Sequence, residues 1–132
     1  MDNMRISSMA GGIGGVDSRR VMRFDTPEAT MNVVRQAYWR RDPQLLRKCI
    51  YPEHPKDWSL RQTLKSDKFA KELLDVMKRL DIRIGHLKQE SENERIYTRI
   101  QKDYDEGGQV VDRETGWLVF RKYGDKWLLY DM

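Results

Sequence analysis

Proton transfer needs a group whose pKa can be drawn toward the working pH and a second group to orient it. The residues of this chain with the chemistry for such work are the phenols Tyr38 and Tyr97, the imidazole His86 and the carboxyl Asp103. No spacing joins them into a recognisable catalytic set, so the sequence assigns no catalytic residue. Metal chemistry has less to stand on, with two histidines at 54 and 86, one cysteine at 49 and no paired ligand spacing. The turn EHPKD can bring Glu53, His54 and Asp57 together, but it reads as a solvated turn, and no metal is expected. A Ser-His-Asp order and a P-loop are both missing, and GGIGG at 11–15 lacks the GxGxxG spacing, so no cofactor is expected either. Arg35, Arg40, Arg41, Arg47 and Lys48 with Trp39 among them offer a phosphate-and-stacking surface. Glu28, Asp42 and Glu53 interrupt it, which leaves nucleic-acid binding as an alternative rather than the main reading.

The 132 residues, 39% hydrophobic and 35% charged at net +4, fit one ordinary soluble domain. Residues 26–80 carry an excess of five positive charges and residues 81–132 a slight acidic excess. The lone Cys49 excludes an internal disulfide framework, and on an apolar stripe it reads as a buried, inert thiol. No apolar run is long enough to span a membrane and the N-terminus has no continuous apolar core of a signal peptide, so the expected location is cytoplasmic.

Residues 1–24 show neither helical nor strand periodicity and contain AGGIGG, which predicts a flexible glycine-containing arm whose Ile6, Met9 and Ile13 can dock on a partner. A single folded domain is expected over 25–132. It opens at FDTPEAT, where Asp25 or Thr26 can cap a helix, Pro27 suits its first position and Glu28 faces the positive end of its dipole. Val33, Val34, Ala37 and Tyr38 continue that helix to about Arg41. Asp42-Pro43 starts a short second helix through Leu45, Leu46, Cys49 and Ile50, stopped by Pro52. A third is expected from about Ser66, with its apolar stripe at Phe69, Leu73, Val76 and Leu80 and with Leu74 and Met77 beside it.

After Leu80 the pattern alternates, at Ile82, Ile84 and His86 and again at Ile96, Thr98 and Ile100, which predicts strands. The chain closes on WLVFRKYGDKWLLYDM, two strands joined at Gly124-Asp125, with Phe120 expected opposite Leu129 and Val119 opposite Tyr130. One face then carries Leu118, Phe120, Trp127 and Leu129; the other carries Trp117, Val119, Leu128, Tyr130 and Met132. Both are apolar, so each needs a cover. The fold class is therefore α+β: three N-terminal helices packed on a curved, mainly antiparallel sheet of four or more strands. The expected core is Val34, Ala37, Leu46, Phe69, Leu73, Val76, Leu80, Ile96, Leu118, Phe120 and Leu129.

The opening TPEATMNVVRQAYWRRDPQLLRKCIYPE and the closing VFRKYGDKWLLYDM resemble the start and the final hairpin of the nuclear transport factor 2-like superfamily. The resemblance implies a cone-like fold whose pocket Tyr38, Tyr97 and His86 would line, and dimerisation through the open face of the sheet. It hosts enzymes and binding modules alike. The expected function is a non-catalytic protein-interaction or small-ligand-binding module, a homodimer through Trp117, Val119, Leu128, Tyr130 and Met132, with a protein partner for the arm. The alternative is an isomerase- or dehydratase-like cone enzyme acting on a small apolar substrate.

Overall fold

The structure, a computed structural model, describes residues 22–53 and 59–132. The arm residues Ile6, Met9 and Ile13, with His54 and Asp57 of the EHPKD turn, lie outside the described residues. Helix α1 spans Pro27–Arg40; Thr26 Oγ1 accepts from Ala29 N at 3.0 Å, Pro27 holds the first position, and Arg41 ends the helix in the left-handed region at φ 54°. Helix α2, Pro43–Cys49, is capped by Asp42, whose carboxylate accepts from Leu45 N at 3.1 Å. A 3-10 turn, Ser59–Leu64, precedes α3, Asp67–Leu80, which Ser66 caps through Phe69 N at 3.1 Å. Each cap satisfies an amide that the first helical turn leaves without a partner.

Four strands follow: β1, Arg83–Glu90; β2, Glu94–Tyr104; β3, Val110–Tyr123; and β4, Lys126–Asp131. They pair antiparallel in chain order. The described fold is thus α+β, three α-helices followed by a four-stranded antiparallel sheet that is not closed into a barrel. Helices cover one face. Thr30 of α1 donates its hydroxyl to Trp127 O, and the phenol of Tyr97 reaches Glu28 of α1 at 3.0 Å. The free edge of β4 is also occupied: Trp127 N donates to Phe24 O at 2.7 Å, and Ile50 forms a parallel bridge with Leu129, whose carbonyl accepts from Tyr51 N at 2.9 Å. At the other edge β1 departs from regular pairing twice, after Ile84 and after Leu87, a device that discourages another chain from adding there.

Val34, Ala37, Leu46, Leu118, Phe120 and Leu129 are buried as the sequence predicts. The third-helix stripe is not where the large side chains suggested. Ala70, Leu74 and Met77 are fully buried, Phe69, Leu73 and Leu80 are half-buried, and Val76 is 37% exposed. A count of bulky side chains gives no weight to Ala70, yet it is 0% exposed, so the buried line is one position later than expected. Ile96 is likewise half-buried rather than core, because its neighbour Tyr97 points inward opposite Leu118 and puts Ile96 on the far face opposite Val119. In the final hairpin Phe120 does pair with Leu129, but an irregularity between Val119 and Phe120 places Val119 opposite Asp131 instead of Tyr130.

Candidate functional site

Side chains alternate along each strand, so the pairing register fixes which residues share the face away from the helices. On β2 these are Glu94, Ile96, Thr98, Ile100, Lys102 and Tyr104. They oppose Arg121, Val119, Trp117, Glu114, Asp112 and Val110 of β3. Trp117 is 58% exposed, Tyr104 67% and Val110 58%, while Val119, Ile96 and Ile100 are half-buried. The outer face therefore carries an apolar strip of Ile96, Ile100, Trp117 and Val119 toward β4, separated by Lys102, Asp112 and Glu114 from Tyr104 and Val110 at the β2–β3 hairpin tip. Of the residues expected at a partner surface, Trp117 and Val119 stand on this strip. Leu128 is buried, and Met132, half-buried, packs against the hydrophobic core. The Arg121 guanidinium lies over Tyr130, 3.8 Å from the ring centre, with Tyr51 edge-on to Tyr130 at 5.4 Å and Tyr123 edge-on to Tyr51 at 5.5 Å. Arg121 also donates to Glu94 at 2.8 Å. Beside this aromatic group an open depression of about 510 Å³ is lined by Tyr51, Asn93, Glu94, Arg121, Lys122 and Gly124.

The three residues expected in a cone pocket are not together. Tyr38 is 1% exposed and its hydroxyl is fully engaged: it accepts from Arg35 Nε at 3.1 Å, and its proton is shared between Asp81 Oδ1 at 3.1 Å and Ile82 O at 3.0 Å. Burial raises its pKa, so it is a neutral tie between α1 and the α3–β1 junction. Tyr97 donates to Glu28 near the other end of α1, about 15 Å away by helix rise. Burial first, then the Glu28 carboxylate, push its phenol up to about 12, so it stays protonated as a donor. His86 projects from the outer face, with its side chain 79% exposed and Nδ1 2.5 Å from Glu114 Oε2. Its backbone N–H donates to Thr98 Oγ1 at 2.8 Å, and the Thr98 hydroxyl in turn donates to Glu114. Asp103, the fourth candidate, is paired with Arg113 at 2.6 Å.

The basic helical surface is largely neutralised in place. Arg35 meets Asp81 at 3.3 Å, Arg41 meets Asp75 at 2.9 Å, and Arg47 meets Asp67 at 2.5 Å. Trp39 carries the Lys78 ammonium over its ring at 5.2 Å. Cys49 is buried, its Sγ donating to Leu45 O at 3.4 Å, and burial pushes the thiol up to about 12. Among the described residues no cluster of three or more His, Cys, Asp or Glu is placed to hold a metal, and no described helix is long and apolar enough to cross a membrane. Sequence reasoning missed the partners that matter here, Glu28, Glu94, Arg121 and Asp81. Glu28 lies 69 residues from Tyr97 and Arg121 lies 27 from Glu94, so no local spacing announces either pair.

The fold so described is nuclear transport factor 2-like. A structure of an NTF2 variant named Rd1NTF2_05, carrying five substitutions, superposes with a TM-score of 0.51 at 20% identity, over 80% of this chain and 92% of its own. The chain is also similar to a SEC-C motif-containing protein from Rhodopseudomonas palustris, with a TM-score of 0.55 and 19% identity over 81% of this chain and 77% of that one. A second SEC-C motif-containing protein, from Psychrobacter arcticus, gives 0.55 at 15% identity over 86% of this chain, which spans 63% of that protein. At these identities the likeness is one of fold. No protein-family model matches the chain, and no curated protein matches it.

Proposed function

We propose that the chain is a non-catalytic interaction module that pairs with a second copy of itself through the outer face of the sheet. The observation that carries the reading is the apolar strip on the side of the sheet opposite the helices, where Ile96 opposes Val119 and Thr98 opposes the 58%-exposed Trp117, with Tyr104 and Val110 beyond the Lys102–Asp112 pair. An open strip of this kind favours association, and a two-fold pairing is self-complementary. Both sheet edges are occupied or irregular, which favours contact face to face over strand addition. The alternative of a cone enzyme is less well supported, because Tyr38, Tyr97 and His86 stand in three separate places and Tyr38 has no free hydrogen-bonding capacity. Nucleic-acid binding is disfavoured by the carboxylates already seated on Arg35, Arg41 and Arg47. The module works in the cytoplasm, where Cys49 remains a thiol, and the arm residues Ile6, Met9 and Ile13 add a second contact for a protein partner.

Sedimentation velocity of the full chain at micromolar concentration is expected to show a dimer. Trp117→Lys, a change at an exposed ring that leaves the core intact, is expected to give a folded monomer. Leu128→Lys is no substitute for it, since a lysine at that buried position would unfold the domain. A monomeric wild type, or a dimer indifferent to Trp117→Lys, overturns the reading. Removing residues 2–21 and repeating the run separates a contribution of the arm from that of the face.

A further inference from the structure

Three carboxylates of the outer face are paired with basic side chains. Glu94 meets Arg121 at 2.8 Å and Asp112 meets Arg83 at 2.6 Å, and both arginines stay charged at any pH at which the domain folds. Glu114 is different. Its basic partner is His86, whose Nδ1 lies 2.5 Å from Glu114 Oε2. Imidazole is the side chain whose charge changes between pH 5 and 8. The Glu114 carboxylate is thus balanced by a cation only when both ring nitrogens of His86 carry a proton.

The backbone holds this cluster in place. Gly85, just before His86 on β1, lets the strand close on Thr98, since a Cβ there would lie 2.2 Å from Thr98 Oγ1. With that approach the His86 N–H donates to Thr98 Oγ1 at 2.8 Å, and the one hydroxyl proton of Thr98 is left for Glu114 Oε2. Thr98 is also the residue directly opposite the exposed Trp117, so the cluster stands beside that ring. Hydrogen bonds from Thr98 and then His86 hold the Glu114 carboxyl below 4.5, and it remains an anion over the range in which imidazole titrates. The other charges around the pair do not titrate near neutrality. On β1 they are Arg83 and the exposed Lys88, on β2 Lys102, and on β3 Asp112, which faces both Arg83 and Lys102. β4 pairs with Val119–Tyr123, the other end of β3.

We propose that His86 and Glu114 make the self-association of this chain pH-dependent, with protonation of His86 completing an ion pair that each copy carries into the contact beside Trp117. This regulation rests on the pairing of two copies through the outer face. A carboxylate moved from water into a contact loses hydration that a neutral imidazole does not replace, whereas an imidazolium–carboxylate pair enters with its charge balanced. The imidazole therefore holds its proton more tightly in the dimer than in the monomer, and association takes up protons. Pairing strengthens as pH falls toward 6 and weakens as pH rises toward 8.

The test is sedimentation of the full chain at pH 8, 7 and 6 and constant ionic strength, with far-UV circular dichroism to confirm the fold at each pH. The wild-type dimer Kd is expected to fall at least about tenfold from pH 8 to pH 6. Glu114→Gln keeps an acceptor for Thr98 and removes the charge, so its Kd is expected to be the same at all three values and no weaker than wild type at pH 8. His86→Gln is expected to stay at the wild-type pH 8 level throughout. A pH-independent wild-type dimer, tighter pairing at pH 8 than at pH 6, or an unchanged pH response in either variant overturns the proposal while the pairing itself stands. A wild type that is monomeric at every pH overturns both.

Discussion

The position of the buried line on α3 can be tested by two truncations two residues apart, on different faces of the helix. Leu74 is 0% exposed in the core, whereas Val76 is 37% exposed, although its branched apolar side chain reads as the better core residue by sequence. Leu74→Ala removes three buried carbons from the core and leaves a space in their place. Such changes cost about 2–5 kcal/mol. For a domain near this size the loss corresponds to a fall in Tm of about 10–25 °C. Val76→Ala alters a partly wet surface and is expected to stay within about 0.5 kcal/mol. Thermal unfolding followed by circular dichroism, with urea titration to confirm that the slope is unchanged, separates the two. Equal losses in both variants, or a larger one for Val76→Ala, would refute the orientation of α3 described here.

Two further outcomes concern the sheet. A Cβ at Gly85 would sit 2.2 Å from Thr98 Oγ1, the hydroxyl held between the His86 amide and Glu114, so Gly85→Ala is expected to cost about 1–3 kcal/mol and Thr98→Ala to relieve part of that loss in the double variant; independent, additive effects in urea denaturation would contradict the contact. Asp75 and Asp112 have pKa values held below 3.8 by hydrogen bonds from Arg41 and Arg83, and Glu114 below 4.5 by the Thr98 hydroxyl and then His86. A lowered folded-state pKa contributes stability that is present above the unfolded value and lost as pH falls through the folded one. Tm is therefore expected to hold from pH 7 to about 5 and to decline below about 4, less steeply in Arg83→Met; a flat profile to pH 3 would contradict the pairing.

What was legible in the sequence is what is decided locally. Thr26-Pro27, Asp42-Pro43 and Ser66 start their helices because each cap bonds an amide three residues on, inside one turn of chain. Gly124 turns the last hairpin at φ 66°, and two central residues suffice to set Phe120 against Leu129. The same logic fails for the first half of β3. No element is predicted for VVDRETG, which has four charged or hydroxyl residues and a glycine, yet it pairs with β2 from Val110 to Thr115, and Gly116 absorbs the register change. Side-chain polarity there follows from exposure and says nothing against a strand.

Ile96 shows how far a missing register propagates. Leu118 and Phe120 are buried as expected, and once β2 is known to pair Tyr97 with Leu118, Ile96 must face outward opposite Val119. A phenol then occupies the core position, and its polar end is served by Glu28 from the first turn of α1. Read alone, Glu28 complements a helix dipole and Tyr97 decorates a strand. Placed together they fasten the start of α1 to the middle of the sheet, while Tyr38, bonded to Asp81 and Ile82 O, fastens its end. Two of the four residues that sequence offered for proton chemistry are therefore anchors of one helix, and they hold it over the covered face, which leaves the opposite face, with Trp117, as the surface for the pairing proposed above.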